Sequence, residues 1–560
     1  MVGHLLKFIE KEISGLHEAA YLLGFFAILS QLLGFLRDRL LASYFGAGEA
    51  LDVYYAAFRV PDLIFIWSAS MVSLSVLIPF LSRRREEGRA SARAFLDSVF
   101  SAFFIFMVAV SAVAFYWAPE LTRVLFPGFS GEASATVSTL MRIMLLQPIL
   151  LGISNLFASV TQLERRFFVY AISPILYNLG IIIGILALYP FFGFAGLAWG
   201  VVLGSLLHLS VQIPVIMRAG MLPRLTFSFD FALVKEVLVV SIPRTLALSL
   251  QNITVLILTS LGSILKVGSI AVFNLSWNLQ SVPLSIVGAS YSLAAFPNLA
   301  GLWSKGDRVT FGSTLASAVR HIIFWSMPAL VLFVVLRAQI VRTVLGSGAF
   351  DWADTRLTAA ALALFALSVV AQSVMLLFTR AYYAAGRTRT PLLVALGGAL
   401  VTVGSAFMLS KLFTEASLFR YFLESLLRVS DLVGTEMLVL PLAYSLGMIV
   451  SAIAFSVLYT RHFQKFERAV TRTLWESFAS SVIMGFIAYG LLGVLDDVVD
   501  IHTTLGIFLQ GLLAGLGGIV VGVVVLYLLG NMESKEIWRT IHHKIWKAKF
   551  IGPDPTEATF

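Results

Sequence analysis

Fourteen long apolar segments run through this chain, and the connectors between them alternate between basic and non-basic. A helix needs roughly 20 predominantly apolar residues to cross the hydrocarbon core of a bilayer. Candidate spans lie near 18–45, 51–82, 94–118, 133–163, 168–190, 194–217, 231–263, 267–300, 311–337, 354–385, 390–411, 436–460, 472–494 and 503–530. Such segments are too long for barrel strands. Inside lipid each backbone N–H and C=O must be satisfied within its own segment. The expected fold is therefore an all-α polytopic membrane protein of about 14 transmembrane helices. Composition agrees: 59% of residues are hydrophobic and 13% charged, against about 25% charged in an ordinary soluble domain. Several spans exceed the minimum length, which predicts tilt or kinks.

The net charge of +9 is not a nucleic-acid signal, because the basic residues sit where topology places them. Most fall at the N-terminus, in the even-numbered connectors and in the tail. One cluster, Arg83, Arg84, Arg85, Arg89 and Arg93, follows span 2. The connector between spans 13 and 14 carries Asp496, Asp497 and Asp500 with no Lys or Arg. By the positive-inside rule both termini are expected in the cytoplasm. There is no cysteine, which excludes disulfides, thiolate metal sites and cysteine nucleophiles. The opening Leu5–Ile13 stretch is amphipathic, and the apolar run after it is too long for the core of a cleavable leader. In the tail, Ile537, Ile541 and Ile545 share a face beside Trp538, Trp546, Lys544 and Lys547. Both segments are expected to lie on the inner membrane surface.

The chain repeats itself at an offset of about 220 residues. Ile78-Pro79-Phe80-Leu81 and Phe296-Pro297-Asn298-Leu299 each end a span before a basic connector. Arg123 to Phe129 precedes span 4 as Arg342 to Gly348 precedes span 10. Arg165 and Arg166 follow span 4 as Arg387 and Arg389 follow span 10. Six spans per repeat is an even number, so the halves are parallel, related by an axis along the membrane normal. A substrate path then lies between them. This divides the chain into an N-lobe (1–225), a C-lobe (226–465), an added helix pair (466–530) and a basic tail (531–560). The added pair, rich in glycine (Gly511, Gly515, Gly517, Gly518, Gly522), is expected to form a lipid-facing groove. The long connector from about 412 to 435, with Phe419, Phe422 and Leu426, predicts a surface-lying helix.

From residue 20 to about 410 a set of short segments resembles one family. They are Leu33-Gly34-Phe35-Leu36-Arg37-Asp38, Phe45-Gly46-Ala47-Gly48, Asp52, and Ala57-Phe58-Arg59-Val60-Pro61. The likeness continues through Ala118-Pro119-Glu120-Leu121, Pro127-Gly128-Phe129 and Leu140-Met141-Arg142-Ile143-Met144. It runs on through Arg166-Phe167, Pro174, Asn178, Gly196-Leu197-Ala198-Trp199-Gly200, Arg380-Ala381-Tyr382-Tyr383-Ala384 and Thr388-Arg389-Thr390-Pro391. As an ordered set they resemble the MurJ/MviN family of lipid II flippases, in the multidrug/oligosaccharidyl-lipid/polysaccharide exporter superfamily. The resemblance implies two six-helix lobes plus a pair flanking a lipid-accessible groove. It also implies a lipid-linked oligosaccharide substrate moved across a bacterial inner membrane, with no cofactor. Three positions depart from the family's pattern. Gln31, Phe65 and Asn278 stand where members carry the arginines credited with holding the substrate diphosphate. An acidic residue linked in some members to sodium is also missing from span 7, so the coupling ion stays open. A monomer is expected.

Moving an anionic sugar head across lipid requires a polar cavity with fixed cations, and intramembrane ionisable residues are the first candidates. Arg37, Arg59 and Arg244 are the principal ones. Asp52, Tyr55 and Arg59 stand three and four apart, on one helical face. An arginine fork suits phosphate oxygens. The structural alternative is that Arg37, Asp38 and Arg39 form an ion-pair cluster at the membrane edge. Pairs at helical spacing form a softer polar set: His208 with Gln212, Gln251 beside Asn252, and Asn274 with Asn278. Such side chains often only join helices; the functional reading puts Gln251 and Asn278 in the cavity. The candidate substrate-binding residues are thus Arg37, Asp52, Arg59, Arg244, Gln251 and Asn278. A flippase for another undecaprenyl-linked glycan, or a drug or cation antiporter of the same superfamily, remains an alternative. A membrane glycosyltransferase would need an acid/base constellation on a sizeable aqueous loop, and no connector here supplies one.

Overall fold

The computed structural model describes residues 16–71, 74–227, 231–463, 468–500 and 503–546. The side chains of 16–21, 68–71, 74–76 and 540–546, and of several residues between 232 and 248, lie outside that description. So do the amphipathic segment 5–13 and most of the proposed apolar face of the tail. Among the described residues every regular element is helical.

In chain order the main helices are α1 (Leu16–Phe45), α2 (Glu49–Met71), α3 (Arg89–Tyr116), α4 (Gly131–Leu163), α5 (Phe167–Phe192) and α6 (Phe194–Arg218). They continue with α7 (Phe231–Ile264), α8 (Ser269–Ser304), α9 (Arg308–Val335), and α10, a pair of arms, Trp352–Ala366 and Val369–Ala384, bent by 44°. The last are α11 (Arg389–Glu415), α12 (Thr435–His462), α13 (Arg468–Asp496), α14 (Thr504–Leu528) and the tail helix α15 (Met532–Trp546). Ten of these are long and apolar enough to cross a membrane, or eleven with the bent pair taken as one. The sequence counts about 14. The three outside that set are α1, α2 and α7. Arg37, Asp38 and Arg39 interrupt the described part of α1, and Asp52, Arg59 and Asp62 that of α2. Only the Ser249–Ile264 stretch of α7 registers as an apolar helix.

Local sequence explains the boundaries. Ser130, Asp307 and Thr503 cap α4, α9 and α14, accepting from the N–H groups of Ala133, Thr310 and Gly506 at 3.4, 3.0 and 3.0 Å. Each satisfies one of the donors that a helix start leaves orphaned. Pro283 in α8 is followed at once by a wider π-helical stretch, Leu284–Ala289. The connector helix Ser417–Leu427 forms as expected, leaving Leu418, Tyr421, Phe422 and Leu426 exposed.

By packing the chain divides into two compact units. The first is Met1–Trp277, Val344–Ala361 and Thr388–Gly447; the second is Asn278–Thr343, Leu362–Arg387 and Met448–Phe560. The lobes drawn from the repeat are a division of a different kind.

Within the first unit, three odd-numbered connectors meet at one end. The Ala349 N–H donates to the Ser43 carbonyl at 2.8 Å, and the Ala47 N–H to Asp354 Oδ2 at 3.0 Å. Gly268 has φ +94°, and a Cβ there would lie 2.1 Å from the Ala47 carbonyl. Gly348, at φ +56°, would likewise bring a Cβ to 2.3 Å from the Ser43 carbonyl. Only glycine permits both the left-handed turn and the close approach. Within the second unit, α13 and α14 pack closely. A Cβ on Gly518 would come to 2.8 Å from the Met484 carbonyl, and the Ser480 hydroxyl donates to the Gly522 carbonyl at 2.8 Å.

Candidate functional site

The charged residues of α1 and α2 converge in the first unit with polar residues of α4, α5 and α8. On α1, Arg37 Nη2 lies 2.8 Å from Asp38 Oδ1, and Nη1 donates to Asn178 Oδ1 at 3.1 Å. Asn178, on α5, is held in turn by donating to the Pro174 carbonyl at 3.2 Å. Asp38 is buried while Arg37 keeps 23% of its side chain exposed. The ion pair that the sequence allowed as an alternative is present, and one face of the guanidinium stays accessible beside it. Arg39 turns elsewhere and donates to the Val344 carbonyl at 3.3 Å.

On α2 the spacing of Asp52 and Arg59 suggests a pair, and the geometry does not make one. Asp52 is 4% exposed. Its two oxygens accept from the N–H groups of Gly268, at 2.6 Å, and Ala271, at 2.7 Å. It therefore caps the start of α8 across 216 residues of sequence, satisfying orphan donors and opposing the positive helix end. Sequence spacing shows a shared face but not the arrival of another helix end.

Arg59 meets a neutral partner instead. Its Nη2 donates to Asn274 Oδ1 on α8, and Asn274 Nδ2 donates to the Ile270 carbonyl at 2.7 Å. Arg59 Nε is buried without a hydrogen-bond partner among the described residues. Asp62, one turn on, accepts from Gln147 Nε2 of α4 at 3.3 Å. Arg59, Tyr55, Asp62 and Arg37 lie within electrostatic reach of one another. Two further buried atoms here have no partner, Tyr55 Oη and Gln147 Oε1. An interior that leaves donors and acceptors unmatched is costly unless something else satisfies them.

The remaining candidates divide. Gln251, on α7, is exposed and hydrogen-bonds the Tyr444 hydroxyl of α12. Asn278 lies one turn beyond Asn274 on α8, in the residues assigned to the second unit. The backbone of Arg244 is helical, and its side chain lies outside the described residues. His208 and Gln212 join helices, as the bland reading has it. Both bond Ser154 Oγ, at 2.7 and 2.5 Å. Asn178, Asn274, Asp62 and Gln147 were not among the sequence candidates for binding. Asn178 stood inside a family segment and Asn274 inside an i,i+4 pair, so both had a signal. Gln147, next to Pro148, had none.

A helical chain that crosses the membrane many times, with arginines and unmatched polar atoms in its interior, has the build of a polytopic membrane transporter. Comparison with known proteins narrows this. The profile of the family described as "Lipid II flippase MurJ" matches residues 41–509. The chain belongs to that family. It is 25% identical over 402 residues to a lipid II flippase MurJ of Burkholderia cenocepacia, covering 70% of this chain and 78% of that one. It is 25% identical over 527 residues to a probable lipid II flippase MurJ of Rhizobium tropici, covering 92% and 94%. In fold it is similar to a structure titled "Lipid II flippase MurJ, inward closed conformation", with TM-score 0.72 at 22% identity, covering 92% and 99%. It is also similar to an inward-facing multidrug resistance MATE family transporter, with TM-score 0.63 at 16% identity, covering 79% and 96%.

Proposed function

We propose that this protein carries lipid II from the inner to the outer leaflet of the bacterial cytoplasmic membrane by alternating access. It works as a monomer with both termini in the cytoplasm, and it forms and breaks no covalent bond. The carrying observation is Arg59. A permanent cation in an apolar helix costs at least 2–3 kcal/mol to insert on translocon scales. Here its fork meets one neutral asparagine, its Nε is unmatched, Asp52 on its own helix is committed to α8, and Asp62, though within electrostatic reach, accepts from Gln147 and makes no hydrogen bond to it among the described residues. A diphosphate oxygen supplies the missing acceptor in the geometry that an arginine favours. Arg37, with an exposed edge beside Asn178, is the second cation on that path.

The contacts joining residues 43–52, 263–271 and 349–354 support a state shut on the side of the odd-numbered connectors. On the expected topology that side is the outer one. Rocking of the lobes 1–225 and 226–465 about the membrane normal would break these contacts and free the head. The prenyl chain stays in lipid along α13 and α14. Gln31, Phe65 and Asn278, in place of family arginines, favour a second reading in which the head is another undecaprenyl-linked glycan. The test is complementation of a bacterial strain depleted of its own lipid II flippase. Growth supports the first cargo; correct insertion without growth excludes it in favour of the second.

A further inference from the structure

A cleft of about 280 Å³ opens in the second unit, apart from the arginine path, between the start of α13 and the start of α15. It is lined by Arg468, Ala469, Arg472, Thr473, Glu476, Met532 and Glu533. Its depth relative to the bilayer follows from its neighbours. Arg468 and Arg472 occupy the first two turns of α13, before its apolar run begins, and Trp475 and Trp538 stand 65% and 70% exposed nearby in sequence. Tryptophan and arginine so placed mark the headgroup layer.

The cleft carries both signs of charge, each already paired within the chain through one of its atoms. Arg472 Nε is bound to Glu476 Oε1 at 2.5 Å, its side chain remains 59% exposed, and Arg468 is exposed beside it. Opposite them is Glu533, whose side chain is 1% exposed. Its Oε1 accepts from Arg320 Nε at 2.9 Å and Thr473 Oγ1 at 3.1 Å. Its Oε2 is buried without a hydrogen-bond partner. A buried carboxylate oxygen without a partner calls for a donor.

We propose that this cleft is a binding site for the phosphoethanolamine headgroup of a membrane lipid. The phosphate sits on Arg468 and Arg472, and the primary ammonium donates to Glu533 Oε2. A purely anionic head satisfies the arginines and sets a second negative charge against Glu533. A trimethylated amine keeps both charges and has no N–H to give. The cleft volume, about 280 Å³, lies just below the usual range for drug-sized ligand sites, which suits a headgroup and excludes a sugar-diphosphate cargo. The site is thus independent of the cargo assignment.

The test is native mass spectrometry of the full-length protein titrated with dioleoyl lipids. Phosphatidylethanolamine should bind at least tenfold tighter than phosphatidylglycerol or phosphatidylcholine. Arg468→Gln/Arg472→Gln should weaken binding of all three lipids at least tenfold without unfolding the protein, since both side chains are exposed. Soluble glycerophosphoethanolamine at millimolar concentration should compete, which separates headgroup recognition from tail binding. Equal affinity for all three lipids, or affinity unchanged by the double change, overturns the proposal. Tighter binding of phosphatidylglycerol than of phosphatidylethanolamine overturns it as well, since it would make the cleft an anion site.

Discussion

Two interior arginines among the described residues, Arg320, which is buried, and Arg59, whose Nε is buried, are held in opposite ways. In the second unit Arg320 faces Glu533 at 2.9 Å, with Thr473 donating to the same carboxylate oxygen. Cation and anion come from the chain itself. In the first unit Arg59 faces Asn274, a neutral amide. Asp52 is engaged by backbone N–H groups, and Asp62, which accepts from Gln147, lies within electrostatic reach of Arg59 without a hydrogen bond or close ion pair to it among the described residues. A buried charge with its counter-charge in the chain adds little net stability but is costly to break. A buried charge without one persists only where something else uses it. The first pattern reads as structure and the second as a site. Substitutions can break that distinction if it is wrong.

The largest effect is expected at Arg59. Arg59→Gln should abolish complementation while the protein still inserts and accumulates, because the lost contact is to substrate and not to the fold. A desolvated charge contact to a ligand is worth about 2–5 kcal/mol, or roughly 30-fold or more in affinity. Arg59→Lys should keep partial activity, having the charge without the fork. If Arg59→Gln instead destabilised the protein as Arg320→Ala does, the contrast between the two arginines would collapse.

Arg320→Ala should show the opposite profile. It strands Glu533 without its partner, at a cost of about 3–5 kcal/mol. Accumulation in the membrane and the melting temperature in detergent should both drop. The double change Arg320→Met/Glu533→Leu should recover most of that loss, because removing both charges removes the unpaired one. Transport per folded molecule should be nearly unchanged throughout. The readouts are fluorescence-detected melting and complementation normalised to protein amount.

Sequence alone revealed the helices, the membrane class and most of the cations, because hydropathy and charge are properties of single segments. The full length of α1 and α2 is legible for the same reason, although the charges in them interrupt the apolar run. What it could not show is partnership. Asp52 and Arg59 share a helical face, and that much was readable. The α8 N-terminus that takes Asp52 lies 216 residues away, and Glu533 lies 213 from Arg320. Such pairings are set by how helices pack, and a span-by-span reading carries no term for it. The same limit hid Gln147, a polar residue whose only distinction is that Asp62 lies opposite it.

Asp52 sharpens the comparison from the other side, since it is a buried charge matched by backbone dipoles. Asp52→Ala should cost about 1–2 kcal/mol of stability, the usual range for a lost helix cap. Asp52→Asn should cost less, since the amide oxygen still accepts one of the two N–H groups. The combination Arg59→Gln/Asp52→Asn should be as inactive as Arg59→Gln alone and should melt like Asp52→Asn alone. Rescue of transport in the double variant would mean that Asp52 neutralises Arg59 after all, and that no substrate phosphate is needed to explain it.

The smallest effect belongs to a third arrangement, a charge pair left in water. Arg356 meets both oxygens of Asp431 at 2.5 and 2.7 Å and also donates to the Arg428 carbonyl, tying the connector after Ser417–Leu427 to the first arm of α10. Asp431 is 63% exposed, so solvent screens most of the attraction. Hydrogen bonding from Arg356 still holds its carboxyl below the ordinary value. A carboxyl with a lowered folded pKa stabilises above its unfolded pKa, about 3.9, and loses that contribution as pH falls through the lower folded value. Between pH 8 and pH 5 the pair should therefore contribute a constant amount. Asp431→Asn should lower the melting temperature by at most about 1 °C in that window, and the gap between variant and parent should close as the pH is taken below about 3.5. A gap that widened in acid would mean that the parent gains from protonation there, the reverse of the linkage that this geometry dictates. A gap as large as that of Arg320→Ala would show that exposure does not separate the two pairs, and the three-way ordering of matched, unmatched and solvated charge would fail at its weakest member.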